Sequence, residues 1–120
     1  MNAFTRRIRP FVARELAAAA GTALPAESFR HLERAHVQGQ SATGEHVRVH
    51  AHMLRWALRH RDWGEAYGQS WRMVGAALFT AFGGVPVGNT GGTNVSPFTP
   101  MPIAPDLAAL IDTARRSNDD

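Results

Sequence analysis

Residues 29–60 read FRHLERAHVQGQSATGEHVRVHAHMLRWALRH, and the fold turns on how this stretch divides. Phe29, Leu32 and Ala35 recur at helical spacing, a short link that begins at Gly39 interrupts them, and Val49, Met53, Trp56 and Ala57 resume the period. The pattern predicts helices over 26–38 and 42–60. Pro25 suits the opening of the first and Gly39 its end. A link this short leaves the two helices as antiparallel neighbours, so residues equally far from it stand at similar heights.

Working outward, the upstream stretch predicts a helix over 5–20 ending at Gly21, with Pro10 tolerable only near its first turn. Downstream, Asp62 is placed to cap a fourth helix. Glu65, three positions on, completes an acidic capping box ahead of the apolar row Tyr67, Trp71, Val74 and Leu78. This helix is expected to fade at Gly83 and Gly84. Residues 83–105, with five Gly and five Pro, read as an extended strap pinned by Val95, Phe98, Met101 and Ile103. A short helix over 106–116 closes the chain. The expected architecture is all-α, with two antiparallel helical hairpins within 1–82, then the strap and the last helix.

The hairpins have a tetratricopeptide-like character. Asp62, Trp63 and Ala66 resemble the turn and second-helix start of such a repeat, and Ser28, Phe29, Leu32 and Ala35 its packing face. Neither first helix carries the repeat's Trp, Leu, Gly, Tyr signature, so the units are repeat-like hairpins and not true repeats.

At 120 residues, the chain suits one domain able to bury about two thirds of its surface. An apolar content of 44% is too high for a disordered chain. All thirteen basic residues are Arg, yet the net charge is only +3, and no nucleic-acid motif accompanies it. With no Cys, disulfides and thiolate metal sites are excluded, so a metal would need His, Asp or Glu ligands. Arg14 and Glu15 interrupt the apolar region that a signal peptide needs, and the Met73-to-Val87 run is too short and glycine-rich to span a membrane. The expectation is a cytoplasmic protein.

Six histidines carry the functional signal. At 100° per residue His36 falls within the apolar stripe of its helix, whereas His31 lies on the polar side with Glu27 and Gln38. His46 and His50 share one stripe of the next helix with Met53 and Ala57, and His60 lies near it. His52 sits with Arg48, Arg55 and Arg59 on the far side, facing solvent. His36 and His46 are equally far from the connecting link, and His50 is one turn beyond His46. An i, i+4 His pair offers two imidazoles to one ion. The predicted metal ligands are therefore His36, His46 and His50. Zn(II) or Cu(II) accepts such nitrogens, with water, Glu33 or Glu45 completing the shell. The bland alternative is three core histidines satisfied by carbonyls, carboxylates or one another.

Other features carry less. The stripe Arg48, His52, Arg55 and Arg59 reads as a solvated face or a contact for an acidic protein or peptide partner. The NTGGTN segment, residues 89–94, reads as a turn that is able to offer amides to an anion. Trp56, Trp63 and Trp71 are expected to fill the space between helices. No nucleophile with its base, and no carboxylate pair, commends an enzyme.

The stretches FTRRIRPFV (4–12), FRHLERAHVQGQ (29–40), EHVRVHAHMLRWALRHRDW (45–63) and GNTGGTNVSPFTPMPI (88–103) resemble the small proteins grouped as domain of unknown function 3703. The resemblance runs over nearly the whole chain. It implies a bacterial origin and the fold of those relatives, with no established activity. His31, His36, His46 and His50 lie inside the resembling stretches.

Overall fold

The computed structural model describes residues 2–81, 89–93 and 100–116, with the backbone alone for 79–81. Five helices, and no strand, occur among the described residues: α1 (Ala3–Ala20), α2 (Pro25–Gly39), α3 (Thr43–Arg59), α4 (Trp63–Ala81) and α5 (Pro105–Arg115). The expected fading at Gly83 and Gly84, and the anchors Val95 and Phe98, lie outside the described residues.

Local chemistry explains the helix ends. The Asn2 side chain accepts from the Thr5 amide at 2.8 Å, starting α1 two residues ahead of the predicted position. This puts Pro10 two turns inside the helix, beyond the first turn to which the sequence reading confined it. Pro10 is exposed, so its missing N–H leaves a gap in the ladder on the wet side. Pro25 opens α2. Past α3, Arg61 takes a left-handed conformation at φ 56°, which lets the Asp62 amide reach the Ala57 carbonyl at 2.8 Å. Asp62 Oδ1 then accepts from the Glu65 amide at 3.1 Å, starting α4 as expected.

Burial divides the helices into unequal partners. Ile8, Val12 and Leu16 of α1, Leu32 and Ala35 of α2, Val49 and Met53 of α3, and Leu107 and Ile111 of α5 form one apolar cluster, with Ile103 packed against it. No described residue of α4 belongs to that cluster. The helix contacts are closest between α1 and α2 and between α3 and α4, compatible with pairing of consecutive helices.

Helix α4 corrects the sequence reading. Trp63 and Trp71 are 63% and 64% exposed, and Tyr67, Val74 and Leu78 also face outward. Trp63 and Trp71, expected to fill the space between helices, lie on the outer face. Glu65, Ala66, Gln69 and Ala76 point inward instead. Only Trp56 behaves as expected of the three Trp, lying tilted against Phe29 at 4.6 Å while its Nε1–H donates to the Pro25 carbonyl at 3.2 Å. Gln38, assigned to the polar side of α2, is buried.

Candidate metal centre

The three predicted ligands come together. His36 from α2 and His46 and His50 from α3 are all buried, and their Nε2 atoms stand 2.9 Å (His36 to His46), 3.1 Å (His36 to His50) and 3.2 Å (His46 to His50) apart. Their ring centroids are 4.7–4.9 Å apart, so the rings converge with the Nε2 atoms foremost. At a metal–nitrogen distance of about 2.0–2.1 Å, imidazoles on one octahedral face stand about 2.9 Å apart and those of one tetrahedral shell about 3.3–3.4 Å. The observed triangle falls between these limits. A cation placed about 1 Å out of the nitrogen plane would meet all three at bonding distance.

The other ring nitrogens define which proton goes where. His36 Nδ1 lies 2.6 Å from the Asn89 carbonyl oxygen, which only accepts, so Nδ1 carries the proton. His50 Nδ1 lies 2.5 Å from Gln69 Oε1. The amide of Gln69 is oriented by its Nε2, which donates to Glu65 Oε2 at 2.7 Å and to the Gly91 carbonyl at 2.8 Å, leaving Oε1 to accept from His50. Both neutral rings therefore turn a bare Nε2 lone pair toward the centre. Their two lone pairs stand 3.1 Å apart. A carboxylate or carbonyl partner on the outer nitrogen is the usual way a protein orients a ligating imidazole.

Electrostatics opposes protonation. Burial, with His50 and His46 adding their repulsion, pushes His36 well below its ordinary value. Burial and neighbouring His50 bring His46 to about 3. Burial brings His50 to about 4, with Arg72 acting the same way and the Gln69 bond opposing. Neutral imidazole is the form a metal takes.

Residues 89–93 close over this group. The Asn89, Gly91 and Gly92 carbonyls accept from His36, Gln69 and Arg72 respectively, and the Thr93 amide donates to the Glu65 carboxylate at 3.1 Å. The segment thus presents carbonyls to the site, and not the amides that the anion-binding alternative to a structural turn would have offered. Gly91 has φ +83°, and a Cβ there would stand 2.5 Å from His36 Cδ2, so neither the backbone angle nor the space admits a side chain.

Several expectations fail at the periphery. Glu45 is buried but pairs with Arg9 at 2.9 Å and Arg48 at 3.4 Å, and neither it nor Glu33 joins the histidine group. Glu33 is half-buried beside Thr90, and burial pushes its carboxyl up. His31 bonds Glu15 at 2.7 Å. His60 is exposed and packs on Trp56, away from the three rings. His52 is half-buried where full exposure was expected.

The supporting residues Gln69, Glu65, Asn89 and Gly91 escaped the sequence reading. The signal available was the polar i, i+4 pair Glu65 and Gln69, overshadowed by the larger aromatic row beside it.

No curated protein and no solved structure matches the chain. The model of the family described as "Protein of unknown function (DUF3703)" matches residues 6–111, a span that holds the three histidines, Gln69 and the 89–93 segment, and the chain belongs to that family.

Proposed function

We propose that this protein is a helical accessory protein that binds a transition-metal ion through the Nε2 atoms of His36, His46 and His50. The observation that carries the reading is the close triangle of nitrogens, two of which are held as acceptors by Asn89 and Gln69. Zn(II) and Cu(II) suit three neutral imidazoles. Among the described residues no carboxylate joins the group, so the ion keeps a position for water or another exogenous ligand. In this reading the chain is one cytoplasmic domain, its ligands lying on two tetratricopeptide-like hairpins formed by α1 with α2 and α3 with α4.

The test is thermal unfolding of the pure protein with and without Zn(II) or Cu(II). At a hundred times its dissociation constant a metal adds about 2.7 kcal/mol, or roughly 10 °C in Tm for a chain of this size. His46→Ala is expected to abolish that gain and His52→Ala to keep it. Equal gains in the two variants would reject the site. Co(II) absorption bands, present in His52→Ala and missing in His46→Ala, separate loss of ligation from loss of folding.

A second reading, a metal-free scaffold for a peptide or acidic partner, is favoured by the outward Trp63, Tyr67 and Trp71 of α4. A protein that shows no metal-dependent gain in stability would leave this reading in possession.

A further inference from the structure

A cleft of about 350 Å³ opens where the C-terminal end of α1, the start of α2 and the second half of α3 meet, away from the three-histidine group. Its volume lies in the lower range of small-molecule sites. Its chemistry is two-sided. Leu16, Leu32 and the Trp56 indole supply an apolar wall, and His52, Arg55 and Arg59 rise along one edge. Among the described residues no Asp or Glu lines the cleft, and Glu27 accepts from the Thr22 hydroxyl at 3.4 Å.

Arg55 and Arg59 line the cleft and form no ion pair among the described residues, whereas their neighbour on the same helix, Arg48, pairs with Glu45. They stand four residues apart on α3, so their guanidinium groups project from one face of the helix, with His52 one turn before. A pair of guanidinium forks beside an apolar wall matches a ligand with an anionic head and a short hydrocarbon body. Plain inorganic anions would leave the Trp56 wall unused, and neutral hydrocarbons would leave the forks unpaired.

We propose that this cleft binds a small organic carboxylate, its head on Arg55 and Arg59 and its aliphatic or aromatic body against Trp56, Leu16 and Leu32. The proposal is independent of metal binding. The occupant is a small molecule and not a peptide, because the volume of the cleft, about 350 Å³, is that of a small-molecule site.

The experiment is calorimetric titration of the full chain with hexanoate, hexanol, inorganic phosphate and a hexaglutamate peptide, with the Trp56 indole resonances followed by NMR. Hexanoate is expected to saturate one site with a Kd of about 1 mM or tighter and to shift the Trp56 indole resonances. Hexanol and phosphate are each expected to bind at least about tenfold more weakly. In the Arg55→Gln, Arg59→Gln double variant, hexanoate affinity falls at least about tenfold while circular dichroism and Tm hold, because both side chains are exposed. Addition of Zn(II) leaves hexanoate affinity unchanged. Failure of hexanoate to saturate, phosphate binding as tight as hexanoate, or an unaffected double variant would each overturn the proposal. Tighter binding by hexaglutamate would overturn it too, in favour of an acidic-peptide surface.

Discussion

Gln69 is the residue on which the candidate centre leans most heavily beyond its three ligands. Its side chain is fully buried, and one amide group serves His50, Glu65 and Gly91 together. Gln69→Leu keeps similar bulk while leaving the His50 Nδ1–H and the Glu65 carboxylate without that partner. Each buried group so stranded costs about 1–3 kcal/mol, and loss of an orienting partner typically weakens a metal site 10- to 100-fold. Urea unfolding and Zn(II) titration of Gln69→Leu are expected to show both effects. Unchanged metal affinity with the expected destabilisation would make Gln69 a purely structural residue. Gly91 is the matching residue on the opposite side, where a close approach to the His36 ring is open to glycine alone.

Among the elements, α4 differs from its neighbours in how it is held. Helices α1, α2, α3 and α5 interlock through aliphatic side chains, whereas the inward face of α4 carries Glu65 and Gln69, bonded to α3 and to residues 89–93. Close approach helps: a Cβ at Gly68 would fall 2.0 Å from Thr93 Cγ2, so the Thr93 side chain packs directly on the glycine. The two kinds of attachment predict different sensitivities. Val12→Ala, at a fully buried position, is expected to cost about 2 kcal/mol through lost burial and an unfilled space. Trp71→Ala, although it removes a far larger side chain, is expected to stay within about 0.5 kcal/mol because the indole is mostly in water. Urea midpoints at equal slope decide it. A large loss on Trp71→Ala would mean that the outer row packs against something in solution.

For the whole molecule, the buried imidazoles tie folding to acidity. In the unfolded chain a histidine takes up its proton near pH 6.5, whereas in the folded protein His46 and His50 do so only at about 3 and about 4. Between these values the unfolded state holds the extra protons, so stability falls as pH falls below about 6.5 and keeps falling toward the folded-state values. His36 and His52 act in the same direction, and Glu33, pushed up by burial, acts in the opposite one at lower pH. From pH 7 to 5 the metal-free protein is expected to lose on the order of 3 kcal/mol. Urea unfolding at the two pH values measures it. A flat profile would mean that the rings protonate in the folded state.

What was legible in the sequence was local or nearly so. Helical periodicity put His46 and His50 on one face, and a short link placed His36 opposite them, so the three candidate ligands followed from spacing alone. Their companions were not legible, because bonds such as His50 to Gln69 and His36 to Asn89 join residues far apart in the chain. The placement of Trp63 and Trp71 was misread for the same reason. The aromatic row of α4 is more apolar than its Glu65 and Gln69 face, and periodicity alone turns the more apolar side inward. Only the folded chain supplies buried imidazole and carbonyl partners that repay the burial of that polar face. The sequence by itself determined where the imidazoles lie along their helices. The tertiary structure decided which nitrogen each of His36 and His50 presents, because a proton's position depends on the acceptor brought against it from elsewhere.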